Sequence, residues 1–219
     1  MSSFPGTSKT LQGGLVLLDP DSGQVRRVIV LQYNPDTLTR SFQPQAIGPD
    51  SGDRLEALRL KGPAVEMIKL EAELDAADQL EFPDNNPTVV NYGIHPQLAA
   101  LQSVVYPFAD DLQSARDLAG FGTLEIAPAE SPLTVFVWGP NRIVPVRLSE
   151  LAVTEEAFDT RLNPIRAKVS LGLRVLSPND LSYDHRGSSI FLAYLRQQER
   201  FSGMASTTGL QSLGVESIP

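Results

Sequence analysis

Side chains able to do chemistry are scarce in this chain. Histidine occurs twice, at His95 and His185, and cysteine not at all. The absence of cysteine removes a thiol nucleophile, a thiolate zinc site and a disulfide framework. His185 stands in Tyr183-Asp184-His185-Arg186-Gly187, which has the outline of a His–Asp pair. Adjacent residues on an extended segment point apart, however, so Asp184 is poorly placed to orient the imidazole. His95 precedes Pro96 at a helix start, where Asn91 or backbone can satisfy it. Carboxylates can act without histidine, as in glycoside hydrolysis. Glu71 and Glu73 share a strand face, and Glu155-Glu156 follow a strand, but the polar face of any sheet yields such pairs. Asp84 and Asp110-Asp111 offer oxygens to calcium without the spacing of an EF-hand. A nucleophile elbow, a phosphate loop and a dinucleotide fingerprint are all missing, and Gly120-Phe121-Gly122 reads as a turn. The expectation is a non-enzyme with no catalytic residue, cofactor or metal.

The elements that would position any site are mainly strands. Gly14-Leu15-Val16-Leu17-Leu18, the turn Asp19-Pro20-Asp21-Ser22-Gly23 and the β-branched run from Val25 to Tyr33 predict a hairpin. After Asn34-Pro35-Asp36, the alternation of Leu38, Arg40 and Phe42 adds a third strand, as a meander or hairpin pair. Periodicity then fades from 43 to 63, where Pro44, Gly48, Pro49, Gly52, Gly62 and Pro63 mix with leucines and cations. So long a loop is usually functional, and this one reads as an arm that orders against a partner. Val65 to Leu74 alternates with Ile68, Leu70, Ala72 and Leu74 on one face and Glu66, Lys69, Glu71 and Glu73 mainly on the other. Asp75-Ala76-Ala77-Asp78 caps a short helical turn, and Phe82 to Pro87 is a loop. Leu98, Leu101, Val104 and Val105 predict an amphipathic helix that starts at Pro96 and is stopped by Pro107. The stretch 108–131 reads as loop with a short helix near Leu112. Beyond it lie strands at Leu133 to Trp138, Arg142 to Leu151 and Ala167 to Val175, then a helix from about Ser188 to Phe201. The fold class is mainly β, a β-rich α+β. Residues 13–202 form one domain, with flexible ends at 1–12 and 203–219.

The 219 residues carry 18 Lys+Arg against 26 Asp+Glu, a net charge of −8. The acidity belongs to residues 61–130, which hold three basic and twelve acidic groups. An acidic balance argues against nucleic acid as partner, since phosphate binding relies on clustered Lys and Arg. No apolar run reaches the ~18–20 residues of a bilayer span, and the N-terminus lacks the apolar core of a secretion signal. Synthesis and assembly in the cytoplasm follow as an expectation.

The most specific stretch runs Val135-Phe136-Val137-Trp138-Gly139-Pro140-Asn141-Arg142-Ile143-Val144-Pro145-Val146-Arg147, then through Thr154-Glu155-Glu156-Ala157-Phe158-Asp159 and Leu162-Asn163-Pro164-Ile165-Arg166-Ala167. With Gln32-Tyr33-Asn34-Pro35-Asp36, Leu60-Lys61-Gly62-Pro63 and Gly93-Ile94-His95-Pro96-Gln97-Leu98, it resembles the tube-like proteins of extracellular contractile injection systems, the phage-tail-like particles. Within that family the chain looks most like the baseplate hub or tube initiator. The resemblance implies a tail-tube-like antiparallel β-sandwich or open barrel with one or two flanking helices. It implies a hexameric ring of identical subunits joining the spike protein to the inner-tube subunits, with baseplate and wedge proteins as further partners, in a particle released or retained. Arg54, Leu58, Leu60, Lys61, Trp138 and Arg142 are the candidate assembly-interface residues. Arg54, Leu58 and Leu60 are expected to order only in the assembled particle. Many such proteins continue into a LysM module after the helix; this sequence has a short tail there, so no peptidoglycan binding carries over. Three other readings compete: a repeating inner-tube subunit, a carboxylate-dependent polysaccharide hydrolase, and a small-ligand β-barrel.

Overall fold

The structure, a computed structural model, describes residues 11–20, 22–46, 59–107, 109–120, 131–205 and 209–218. Seven strands among them form one antiparallel sheet: β1 (Gly14–Leu18), β2 (Val25–Val30), β3 (Leu38–Ala46), β4 (Leu60–Asp75), β5 (Leu133–Val137), β6 (Ile143–Phe158) and β7 (Pro164–Val175). Their order is β2-β1-β5-β6-β7-β4-β3. The chain is a β-rich α+β protein, and it takes the open-barrel form rather than that of two stacked sheets. Its curl shows in Gln32, just past β2. The Gln32 amide donates to the Asp75 carbonyl at 2.6 Å and accepts from the Asp75 N–H at 3.0 Å, so one sheet end is tied to the end of β4. Ile29 and Leu31 accordingly share a single core with Leu70, Ala72 and Leu74.

The β1–β2 hairpin forms as its turn chemistry dictates, with Asp19 accepting from the Ser22 N–H at 2.8 Å. The expected three-stranded meander does not form. β3 pairs with β4, and β2 and β3 are the two opposite edges. Asn34 explains the divergence: its side chain binds Gly13 N–H at 2.9 Å and the Leu11 carbonyl at 2.7 Å, so the chain continues past β1 instead of folding back on β2.

The arm also needs correction. Residues 43–46 and 60–63 are strand, with Gln43 opposite Val65, Gln45 opposite Gly62 and Ala46 opposite Leu60. The register shifts around Pro44, on an edge strand, where a residue without an N–H is tolerated. What read as an irregular arm is the far half of a β3–β4 hairpin, whose residues 47–58 lie outside the described chain.

β6 is longer than expected, and Glu155 and Glu156 lie inside it rather than after it. Core and outer faces of β4 and β7 alternate as the sequence requires, and Ile68, Leu70, Ala72, Leu74, Ala167, Val169, Leu171 and Leu173 are buried.

Helices close the core. α1 (Ala77–Leu80) starts where the Asp75 carboxylate accepts from the Ala77 N–H at 2.8 Å. α2 (Pro87–Tyr92) and α3 (His95–Gln102) are separated by Gly93 at φ 56°, where a Cβ would lie 2.1 Å from the Pro164 carbonyl oxygen; only glycine fits. α3 ends at Gln102, short of the Pro107 stop, yet Leu98 and Leu101 enter the core as expected. The predicted short helix near Leu112 is α4 (Ala109–Gly120). α5 (Arg186–Met204) contributes Phe191 and Tyr194 to the core and is followed by a 3-10 turn at Leu210–Leu213. Among the described residues no helix is long and apolar enough to cross a membrane.

Candidate assembly surface

The outer face of the three long strands is a lattice of charge. Cross-strand register sets Lys69, Gly172 and Glu150 in one row, Glu71, Ser170 and Ala152 in the next, and Glu73, Lys168 and Thr154 in the third. Lys69 approaches Glu150 at 3.9 Å, Lys168 approaches Glu156 at 3.3 Å, and Arg166 meets Asp75 at 2.7 Å. The hydrogen bond that Lys168 donates to Glu156, then the Glu156 charge, raise the Lys168 ammonium above the usual lysine range, and Glu73 and Glu71 add to the effect. Exposed pairs of this kind contribute about 0–1 kcal/mol each, so this face does little to hold the fold. It is a surface suited to water or to a charged neighbour. Glu71 and Glu73 stand in the open on it, with Lys168 between the strands, rather than facing each other across a cleft.

A second cluster is half-buried. Arg40 on β3 lies opposite Ile68, so its side chain shares the inner face with Glu66, which is 5% exposed. The guanidinium donates to Glu66 at 2.7 Å and to the Tyr194 hydroxyl of α5, and it lies 4.8 Å over the Phe42 ring. Burial works against the Arg40 cation, but Glu66 and then Tyr194 outweigh it and hold it above the ordinary arginine range. Burial, then the Glu66 charge, push the Tyr194 phenol up, while Arg40 and Arg142 pull it back. Sequence reading put Glu66 on the polar face; counting by twos from Ile68 would have placed it inward.

Of the sequence-predicted interface residues, Trp138 and Arg142 flank the β5–β6 turn. Trp138 stacks on Phe136 with ring centres 5.8 Å apart and packs against the core. Asn141 accepts from Gln197 of α5 at 3.0 Å, which fixes this turn beside the Tyr194 cluster. Leu60, 70% exposed, and Lys61, also exposed, begin β4. Leu60 lies opposite Ala46 in the β3–β4 register. Arg54 and Leu58 fall outside the described residues. His185 is the N-cap of α5, accepting from the Gly187 N–H at 3.0 Å through Nδ1, and His95 is an exposed first residue of α3. Among the described residues no group of three or more His, Cys, Asp or Glu is placed to hold a metal ion.

Among the described residues, two strand edges have no strand beside them. β2 ends the strand order of the described sheet and exposes Val25, Val28 and Val30. β3 is the other edge. Sequence reading also missed the tip of the β6–β7 hairpin. There Asp159 accepts from the N–H groups of Arg161 at 2.7 Å and Asn163 at 2.8 Å, and from the Asn163 amide at 2.8 Å. Those bonds, led by the Asn163 side chain, hold the Asp159 carboxyl below its usual range. The spacing Asp-x-x-x-Asn before a proline is the signal that marks this tip.

No protein family model matches the chain, and no curated protein matches it. Two solved structures are similar to parts of it. One is the tail of an empty gene transfer agent (GTA) particle with C6 symmetry, at 14% identity and a TM-score of 0.28, covering 74% of this chain and 90% of that one. The other is the virion of a native gene transfer agent particle, at 13% identity and a TM-score of 0.27, with the same coverage.

Proposed function

We propose that the chain is a structural subunit of a contractile phage-tail-like particle, the baseplate hub or tube initiator, whose copies form a hexameric ring between the spike and the inner tube. The observation that carries this reading is an open, curled sheet whose end strands, among the described residues, have no strand beside them, with a charged outer face on its three longest strands. Uncovered edges invite pairing with another chain, and a closed ring satisfies them without leaving a free template. The charged rows would then line the ring's passage or meet a neighbouring ring. The sequence resemblance supports the same reading, because its most specific block, 135–167, builds β5, β6 and the start of β7 at the centre of this sheet.

The hub is favoured over a repeating tube subunit by α1 to α4, which lie between β4 and β5 as additions to the bare sheet. We read the protein as non-catalytic. The test is to concentrate the purified chain, alone and with its inner-tube subunits, and to measure mass and symmetry by native mass spectrometry and negative-stain microscopy. Sixfold rings are expected. Monomers under every condition, with no binding to tube subunits, would overturn the reading.

A further inference from the structure

We propose that the hollow between β2, the end of β4 and α3 is a binding site for a small, uncharged molecule with an apolar body and one N–H donor, and that Gln97 receives that donor. The inference goes beyond the assembly reading and does not depend on it.

The hollow follows from how the sheet curls. β2 ends the strand order, and β3 accompanies β4 only as far as Leu38 opposite Leu70. The ends of β2 and β4 are joined by a side chain rather than by a ladder: the Gln32 amide donates to the Asp75 carbonyl and accepts from the Asp75 N–H. Directly paired strands lie about 4.7–4.9 Å apart. A glutamine side chain set between two backbones holds them wider than that. Helix α3 walls the gap from one side, and Arg27 of β2 fastens its end by donating to the Ser103 hydroxyl at 2.8 Å. The space left is a cavity of about 360 Å³. Small-ligand sites span about 300–1,000 Å³, so its size suits a compact organic molecule.

The wall is chemically selective. Leu31, Leu74, Pro96, Ala100 and Leu101 give it an apolar surface, and among the described residues no ionisable side chain lines it. A charged ligand would lose its hydration there without gaining a partner. The ligand is therefore neutral. Three glutamines interrupt the apolar surface, at positions 32, 79 and 97. Gln32 is engaged by Asp75 through both its donor and its acceptor. Gln97 differs, because its side-chain oxygen is buried and meets no donor among the described residues. A buried acceptor left unmet forfeits its hydration, and the large majority of such groups in folded proteins have a partner. A water in the hollow would satisfy the oxygen but leave the leucines wet. A molecule that lays an apolar ring on Leu31, Leu74 and Leu101 and aims one N–H at Gln97 Oε1 satisfies both. Neutral aromatic N-heterocycles of the indole class have that composition.

Indole and benzofuran are nearly identical in size and shape, and only indole carries the N–H. Titrated into the ¹⁵N-labelled full chain, indole should shift the amides of Ala72, Gln97, Ala100 and Leu101. It should bind about tenfold more tightly than benzofuran, the factor that one hydrogen bond supplies. In a Gln97→Leu variant that discrimination should vanish while both probes still bind. The melting temperature of this variant should hold or rise, since an unsatisfied buried acceptor has been removed. Equal affinity of the two probes for the native chain would overturn the proposal, as would shifts confined to other parts of the chain or no binding of either probe. A Gln97→Leu variant that still prefers indole, or that melts lower, would overturn the role given to Gln97.

Discussion

Along β7, Ala167, Val169, Leu171 and Leu173 point into the core and are almost wholly buried, while Lys168 and Ser170 between them face outward. The same contrast holds on β4, where Ile68, Leu70, Ala72 and Leu74 oppose Lys69, Glu71 and Glu73. The inward set removes apolar area from water, at about 25 cal/mol per Å², and so holds the sheet. The outward set is a screened lattice of ion pairs whose individual worth is small. One strand therefore carries two separable jobs. Its outward positions can be tuned for contact with other copies without loss of stability in the fold.

Substitutions on the two faces should differ by an order of magnitude. Val169→Asp places an unpaired charge in the core and should cost about 5 kcal/mol or more; the expected outcome in a denaturant melt is loss of the cooperative transition. A retained transition would show that the faces are assigned the wrong way round. Glu66→Leu tests the charged pair that Glu66 and Arg40 form on the inner side. It strands the Arg40 guanidinium against Tyr194 and should cost about 3 kcal/mol. Tyr194→Phe in the same background should then add little, since the network is already broken.

On the outer face, Glu156→Gln should move stability by no more than about 0.5 kcal/mol, and added salt should erase even that. A larger effect would mean that the lattice is structural. The smallest change concerns pH. The backbone N–H of Ser22, then its hydroxyl and Arg26, hold the Asp19 carboxyl at about 2, below its unfolded value. A depressed carboxyl stabilises the fold above its unfolded pKa, and that contribution is lost as pH falls toward 2. Amide exchange at Ser22 and Gly23 should rise over this interval, and an Asp19→Asn variant should exchange with a flatter pH profile.

Alternation makes the core legible in the sequence itself. Ile68 to Leu74 and Ala167 to Val175 read correctly because period two survives over many residues. The far half of the β3–β4 hairpin does not, because Pro44, Gly62 and Pro63 look like loop residues, and only an edge position with a register shift reconciles them with a strand. The partner of β3 is hidden because a sequence window cannot see that Asn34 binds back to Leu11 and Gly13. At the candidate assembly surface, Trp138 and Arg142 stand out in the sequence, but their neighbour Tyr194 arrives from α5, far along the chain.

The proposed role of this chain is that of the hub of a phage-tail-like particle. The most direct measurement is to tag it at the C-terminus in the native host, purify gently, and image antibody-gold on the eluate by negative-stain electron microscopy. Sheathed, needle-like particles with label confined to one end are the predicted result. Label along the whole tube would contradict the hub and assign the chain to the repeating tube. Monomers with no sheath or spike proteins beside them would contradict the structural role itself.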